Sequence, residues 1–307
     1  MKTRSCLCLV AVSALALMVA LPVRAEGGQI DARPVSAPTT PGFSSDRFSV
    51  EVIGEGPDVI LIPGFASSRE VWQPLAEYLS ATHRVHLVQL SGFAGEAWTH
   101  EDGPFVQPVV EEVARYAQTM SRPSIVGHSM GGLISLMVAQ QHPDRVQQVM
   151  TVDSLPFFGA MMGPAATSEV MQPLTRQMAG AILNSPDEAM RAQQHQTAIT
   201  MMRNEAGRAQ MVDWSMRSDR RAMAAALSEV MTTDVRPQLA AMTTPVWAVY
   251  ASDANGGVPA NMADGLWGRE YAAVPGVTLK RVDDARHFIM IDQPEVFSAL
   301  VAEFLSR

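Results

Sequence analysis

The sequence predicts an α/β fold: a mostly parallel sheet with helices on both faces, interrupted by a helical insertion. The strand-like segments FSVEVIG, DVILIPG, RVHLVQL, SIVGHS and VQQVMTVDS alternate with helical stretches near residues 71–79, 105–120 and 133–141. Such alternation makes a parallel sheet with helices packed on its two sides. Between about Leu155 and Thr243 helical stretches replace the strands, and 12 of the 20 methionines fall there. Alternation resumes with TPVWAVYAS, VTLKRVDD and an amphipathic helix from Pro294 to Leu305.

The start of the chain reads differently. MKTRSCLCLVAVSALALMVALPVRA has Lys2 and Arg4 ahead of an apolar run from about Leu7 to Leu21, then Pro22 and the small-flanked end Val23-Arg24-Ala25. This is the layout of a secretory signal peptide with cleavage after Ala25. The apolar run is shorter than the ~20 residues that span a bilayer, so no stable membrane anchor is expected after cleavage. Residues 26–45 are rich in Gly, Pro, Ser and Thr and read as a flexible linker. The resulting division is signal 1–25, linker 26–45, core 46–154 with 244–307, and insertion 155–243. A periplasmic or secreted location follows.

Composition narrows the function classes. Both cysteines, Cys6 and Cys8, lie in the signal, so the mature chain is expected to hold no disulfide or thiolate metal site. The formal net charge is −8, and cleavage would remove Lys2, Arg4 and Arg24 but no acidic residue. An acidic chain without a long basic run argues against nucleic acid as a partner. The clusters His100-Glu101-Asp102 and His142-Pro143-Asp144 lack metal-ligand spacing.

The chemistry centres on SIVGHSMGGL. Gly127-His128-Ser129-Met130-Gly131 fits G-x-S-x-G, with a strand before and a helix after. A strand-to-helix turn that sharp strains the serine backbone and demands small residues two before and two after. It leaves the serine oxygen exposed at the carboxyl end of the sheet, so Ser129 is the candidate nucleophile. His287, between a strand-like segment and the last helix, is the candidate base. His83, His86, His142 and His195 read as surface or helix-end residues, and the elbow itself fixes the side chain of His128.

A carboxylate must orient the imidazole. Asp253, ending WAVYAS, is favoured; Asp153, ending VQQVMTVDS, is the runner-up; Asp283 and Asp284 lie too near His287 along the chain to aim at its ring. Oxyanion donors are expected from the backbone N–H of Met130 and, in the loop Pro63-Gly64-Phe65-Ala66, of Phe65. No metal or organic cofactor is required.

With these residues in place the chain resembles the α/β-hydrolase fold family. IPGFASSREVW, GHSMGG, YASD and ARHFIMIDQPEVFSALVAEFL stand in the family's order, as do Ser129, Asp253 and His287. Two departures are Pro63, where many relatives have histidine, and Gln89, where relatives often have aspartate. The resemblance implies a serine hydrolase whose helical insertion caps the site. Phe157, Phe158, Met161 and Met162 are then expected as pocket walls, with Met171, Met178, Met201, Met202, Met211 and Met216 as further adaptable apolar lining. A serine at 129 argues against the family's dehalogenases and epoxide hydrolases. The expected substrate is a small-molecule, apolar ester. The alternatives are a hydrolase of amide, lactone, thioester or carbon–carbon bonds, or a ligand-binding protein with little turnover.

Overall fold

The computed structural model describes residues 43–100 and 103–307, so the signal segment and most of the linker lie outside the described residues. Seven strands form one sheet: β1 Phe48–Ile53, β2 Asp58–Ile62, β3 Arg84–Leu90, β4 Ser124–His128, β5 Val149–Val152, β6 Val246–Ser252 and β7 Thr278–Asp283. Their order across the sheet is β1-β3-β2-β4-β5-β6-β7. β1 runs antiparallel to β3, and every other pairing is parallel.

Residue choice explains these positions. β4, β5 and β6 are buried along their whole length, as a strand covered on both faces requires. The edge strands are different. β1 buries Phe48 and Val50 and leaves Ser49 and Glu51 partly exposed, and β7 carries Lys280, Arg281 and Asp283. Charge on an edge strand discourages pairing with another sheet.

The helices are α1 Gln73–Leu79, α2 Val106–Ala117, α3 Met130–Gln141, α4 Ser168–Asn184, α5 Asp187–Met201, α6 Glu205–Arg217, α7 Arg220–Thr232, α8 Ala260–Glu270, the short α9 Ile289–Asp292 and α10 Pro294–Leu305. On one face, Val109, Val113, Leu133 and Trp267 of α2, α3 and α8 join one buried cluster. On the other, Leu75, Phe297 and Phe304 of α1 and α10 join a second.

Helices α4–α7 form the insertion between β5 and β6. The insertion is tied to the core by Glu229 of α7, which accepts from the N–H groups of Phe105 and Val106 at the start of α2. Those amides have no partner within their own helix, so a carboxylate there satisfies both donors and the helix dipole. Trp214 Nε1 donates to Glu70 at 3.0 Å, a second tie.

Candidate active site

β2 and β4 are neighbours, yet the chain leaves β2 towards β3 on one side and returns at β4 on the other. A crevice opens at the carboxyl ends of strands where the order reverses in this way. Six non-glycine residues have positive φ among the described residues, and three of them, Ala66, Ser129 and Asp153, follow β2, β4 and β5 at this end. Such strain persists only where the surroundings enforce it.

Ser129 has φ 53° and ψ −120°. Its N–H donates to Val152 O at 2.9 Å, which locks the turn to the neighbouring strand. A Cβ at Gly127 would stand 2.1 Å from Gly131 O, and one at Gly131 would stand 2.3 Å from Ile62 O. The elbow therefore admits no side chain at either position. Helix α3 begins at Met130, earlier than the expected Leu133, so the Met130 N–H is among the free amides of the helix start.

The loop after β2 closes on the same point. A Cβ at Gly64 would lie 3.1 Å from Ser129 Cβ, so the backbone leading to Phe65 packs directly against the serine. The buried Gln89 braces this loop, since its Oε1 accepts from Arg69 N at 2.8 Å and its Nε2 donates to Ser67 O at 3.3 Å and Phe93 O at 3.2 Å. The signal in the sequence for this brace is a glutamine between two apolar residues, Val88 and Leu90, at the end of a strand.

His287 lies between β7 and α9, and its Nδ1 is 2.7 Å from Asp153 Oδ2. Asp153 Oδ1 accepts from Ala251 N at 3.0 Å, so both carboxylate oxygens are engaged. The expectation that Asp253 meets His287 is corrected here. Asp253 accepts instead from Arg286 Nε at 2.8 Å and Arg203 Nη1 at 3.2 Å. Sheet order supplies the reason: β5, which Asp153 follows, adjoins β4, whereas β6, which Asp253 follows, is one strand farther from Ser129. Burial alone would raise the Asp253 pKa, but the Arg286 hydrogen bond and the two guanidinium charges outweigh it and hold the carboxyl below its usual range.

Two residues next to Ser129 and His287 in the chain make contacts that the sequence did not indicate. His128 is fully buried, and its Nε2 donates to the His287 carbonyl at 2.9 Å. Burial foremost, then the proximity of His287, pushes its pKa well below the usual histidine value, so the ring is neutral. Arg286 reaches from the His287 loop to Asp253 and to the Ile199 carbonyl of α5. Asp292 adds bonds to Arg286 N at 2.9 Å and to Arg203 N at 2.9 Å. Together these contacts clasp the insertion to the loop that carries His287. His86, expected at the surface, is instead buried between Tyr116 and Asp58.

Ser129, Asp153 and His287 line a cavity of about 780 Å³ that extends into the insertion. Phe65, Phe158, Met161 and Met162 also line it, with Met178, Met201 and Met211. Phe157 does not; its ring is fully buried beneath the Arg236 guanidinium, 4.5 Å away. Met171, Met202 and Met216 pack elsewhere, in the hydrophobic clusters. Met223 and Met231 of α7 and Met262 of α8 line the cavity in addition.

Comparison with known proteins agrees with this architecture. The sequence profile of the alpha/beta hydrolase family matches residues 59–300. A pimeloyl-[acyl-carrier protein] methyl ester esterase from Aliivibrio salmonicida is 30% identical over 82% of this chain and 93% of its own. Its counterpart from Edwardsiella ictaluri is 31% identical over 80% of this chain and 92% of its own. Among solved structures, the enol-lactonase from Burkholderia xenovorans superimposes with a TM-score of 0.70 at 20% identity, covering 85% of this chain and 96% of that one.

Proposed function

The chain belongs to the alpha/beta hydrolase family and is an ester-cleaving member of it, and we propose that it is an exported serine hydrolase acting on acyl-chain esters through an acyl-enzyme. The observation that carries this reading is the His287 Nδ1 to Asp153 Oδ2 contact of 2.7 Å in the cavity that Ser129 also lines.

In the proposed mechanism Ser129 Oγ attacks the ester carbonyl and its proton passes to His287 Nε2. The imidazolium keeps its Nδ1 proton on the Asp153 carboxylate, which sets the tautomer and stabilises the charge. The N–H groups of Phe65 and Met130 hold the tetrahedral oxyanion. Collapse expels the alkoxide, which takes the proton from His287, and leaves an acyl group on Ser129. Water, deprotonated by His287, then attacks the acyl carbonyl, and the carboxylic acid departs as Ser129 Oγ takes the proton back from His287. The helical insertion acts as a cap that covers these steps.

An acyl chain suits the cavity, because methionines from several helices make a wall that adapts to chain length. Export rests on the charged, apolar and small-residue segments of residues 1–25. The test of the chemistry is a fluorophosphonate probe read by intact mass. The wild type gains one adduct and Ser129→Ala gains none; an unlabelled wild type that cleaves no ester overturns the reading. N-terminal sequencing of the chain recovered from outside the cytoplasm, beginning at Glu26, is the expected result for export.

A further inference from the structure

The cavity walls are chemically unequal. From α4 and α7 it receives Met178, Ile182, Met223 and Leu227. From α5 it receives Gln193, Gln194, Thr197 and Thr200, spaced to share one face of that helix, with Met201 at the helix end. The α4 and α7 lining named here is thus apolar, and the α5 lining is mostly neutral and polar.

Gln194 is the informative member. It is 8% exposed, and the hydrogen bond of its amide is donation to Met190 Sδ at 3.5 Å. A thioether is a weak acceptor, and a primary amide brings two donors and a carbonyl. Buried amides without adequate partners are costly, so this one needs an oxygen or hydroxyl from whatever fills the cavity. A plain alkyl chain would displace water from the amide and return nothing.

The charges lining the cavity do not ask for an ionic substrate. Arg269 is paired with Glu270 at 2.9 Å, Arg286 with Asp253 at 2.8 Å, and Asp153 with His287 at 2.7 Å. The complementary ligand is therefore uncharged at the Gln194 position.

We propose that Gln194 is a specificity-determining residue that selects esters whose acyl chain bears one uncharged hydrogen-bonding group, a hydroxyl or keto oxygen, over unsubstituted alkyl esters. The inference rests on the ester hydrolase reading of the same cavity. Loss of one such hydrogen bond in a buried site changes selectivity by roughly tenfold or more.

The experiment uses methyl octanoate and its monohydroxy isomers, with the hydroxyl moved stepwise along the chain. In the wild type, one hydroxyl position raises kcat/KM about tenfold over octanoate, chiefly through KM. Gln194→Met, of similar length and shown folded by circular dichroism, flattens that profile. A flat wild-type profile overturns the inference while the esterase reading stands, and that arm does not depend on the variant folding. A peak that survives Gln194→Met overturns it equally. If the wild type cleaves none of these esters and Ser129 takes no fluorophosphonate, both readings fall.

Discussion

The His287 ring meets Asp153 at 2.7 Å, while Arg286, one residue earlier, takes Asp253 at 2.8 Å. Adjacent residues of one loop thus divide the two carboxylates between them. Asp153→Asn is expected to lower kcat about ten-thousand-fold, because the amide no longer enforces the productive tautomer. Asp253→Asn should leave most of kcat and instead lower stability by about 1–3 kcal/mol, since Arg286 loses a charged partner. Steady-state kinetics and urea melts on both variants decide the assignment, and the reverse pattern would return the triad role to Asp253.

Acid should weaken the fold through His128. The folded protein holds this ring neutral, with a depressed pKa, whereas the unfolded chain takes up a proton below about pH 6.5. The unfolded state then binds more protons, so stability falls as pH drops through that value. His128→Gln retains a donor for the His287 carbonyl and cannot titrate. Thermal melts at pH 7.5 and 5.5 should show a smaller drop for the variant; parallel drops would count against the account.

The elbow has no room at Gly127, where a Cβ would lie 2.1 Å from Gly131 O. Gly127→Ala must push α3 away from β4, at a cost of about 1–3 kcal/mol or more. It should also lose fluorophosphonate labelling where it remains folded. A variant of unchanged melting temperature and labelling would contradict the tight turn.

Gln89 holds the loop after β2 through Arg69 N and Ser67 O. Gln89→Leu strands these buried backbone groups and should destabilise the chain by about 1–3 kcal/mol. If the loop also supplies the Phe65 oxyanion donor, kcat falls at least about tenfold with little change in KM. An intact kcat would separate the brace from catalysis.

Much was legible in the residues taken in order. The strand-to-helix change around Ser129 is local, and the glycines at 127 and 131 are dictated by contacts within one turn and the adjoining strand. The alternation of strand-like and helical segments announced the parallel sheet, and its loss after Leu155 announced the helical insertion. Phe158, Met161 and Met162 follow β5 so closely that nearness along the chain placed them at the cavity. The same reasoning failed for Phe157: neighbours in an extended segment point opposite ways, and its ring went under Arg236.

The choice between Asp153 and Asp253 belonged to tertiary structure. Both directly follow a buried strand at the carboxyl end of the sheet, so local pattern treats them alike. What separates them is lateral order, with β5 beside β4 and β6 beyond it. The second cause is competition for charge: Arg286 and Arg203, 83 residues apart in the chain numbering, converge on Asp253 and leave Asp153 for His287. The sequence by itself determined which groups could do chemistry, because backbone strain and hydrophobic period are short-range. Only the folded chain decided which charged groups meet, because electrostatic pairing depends on distances through space that no local spacing encodes.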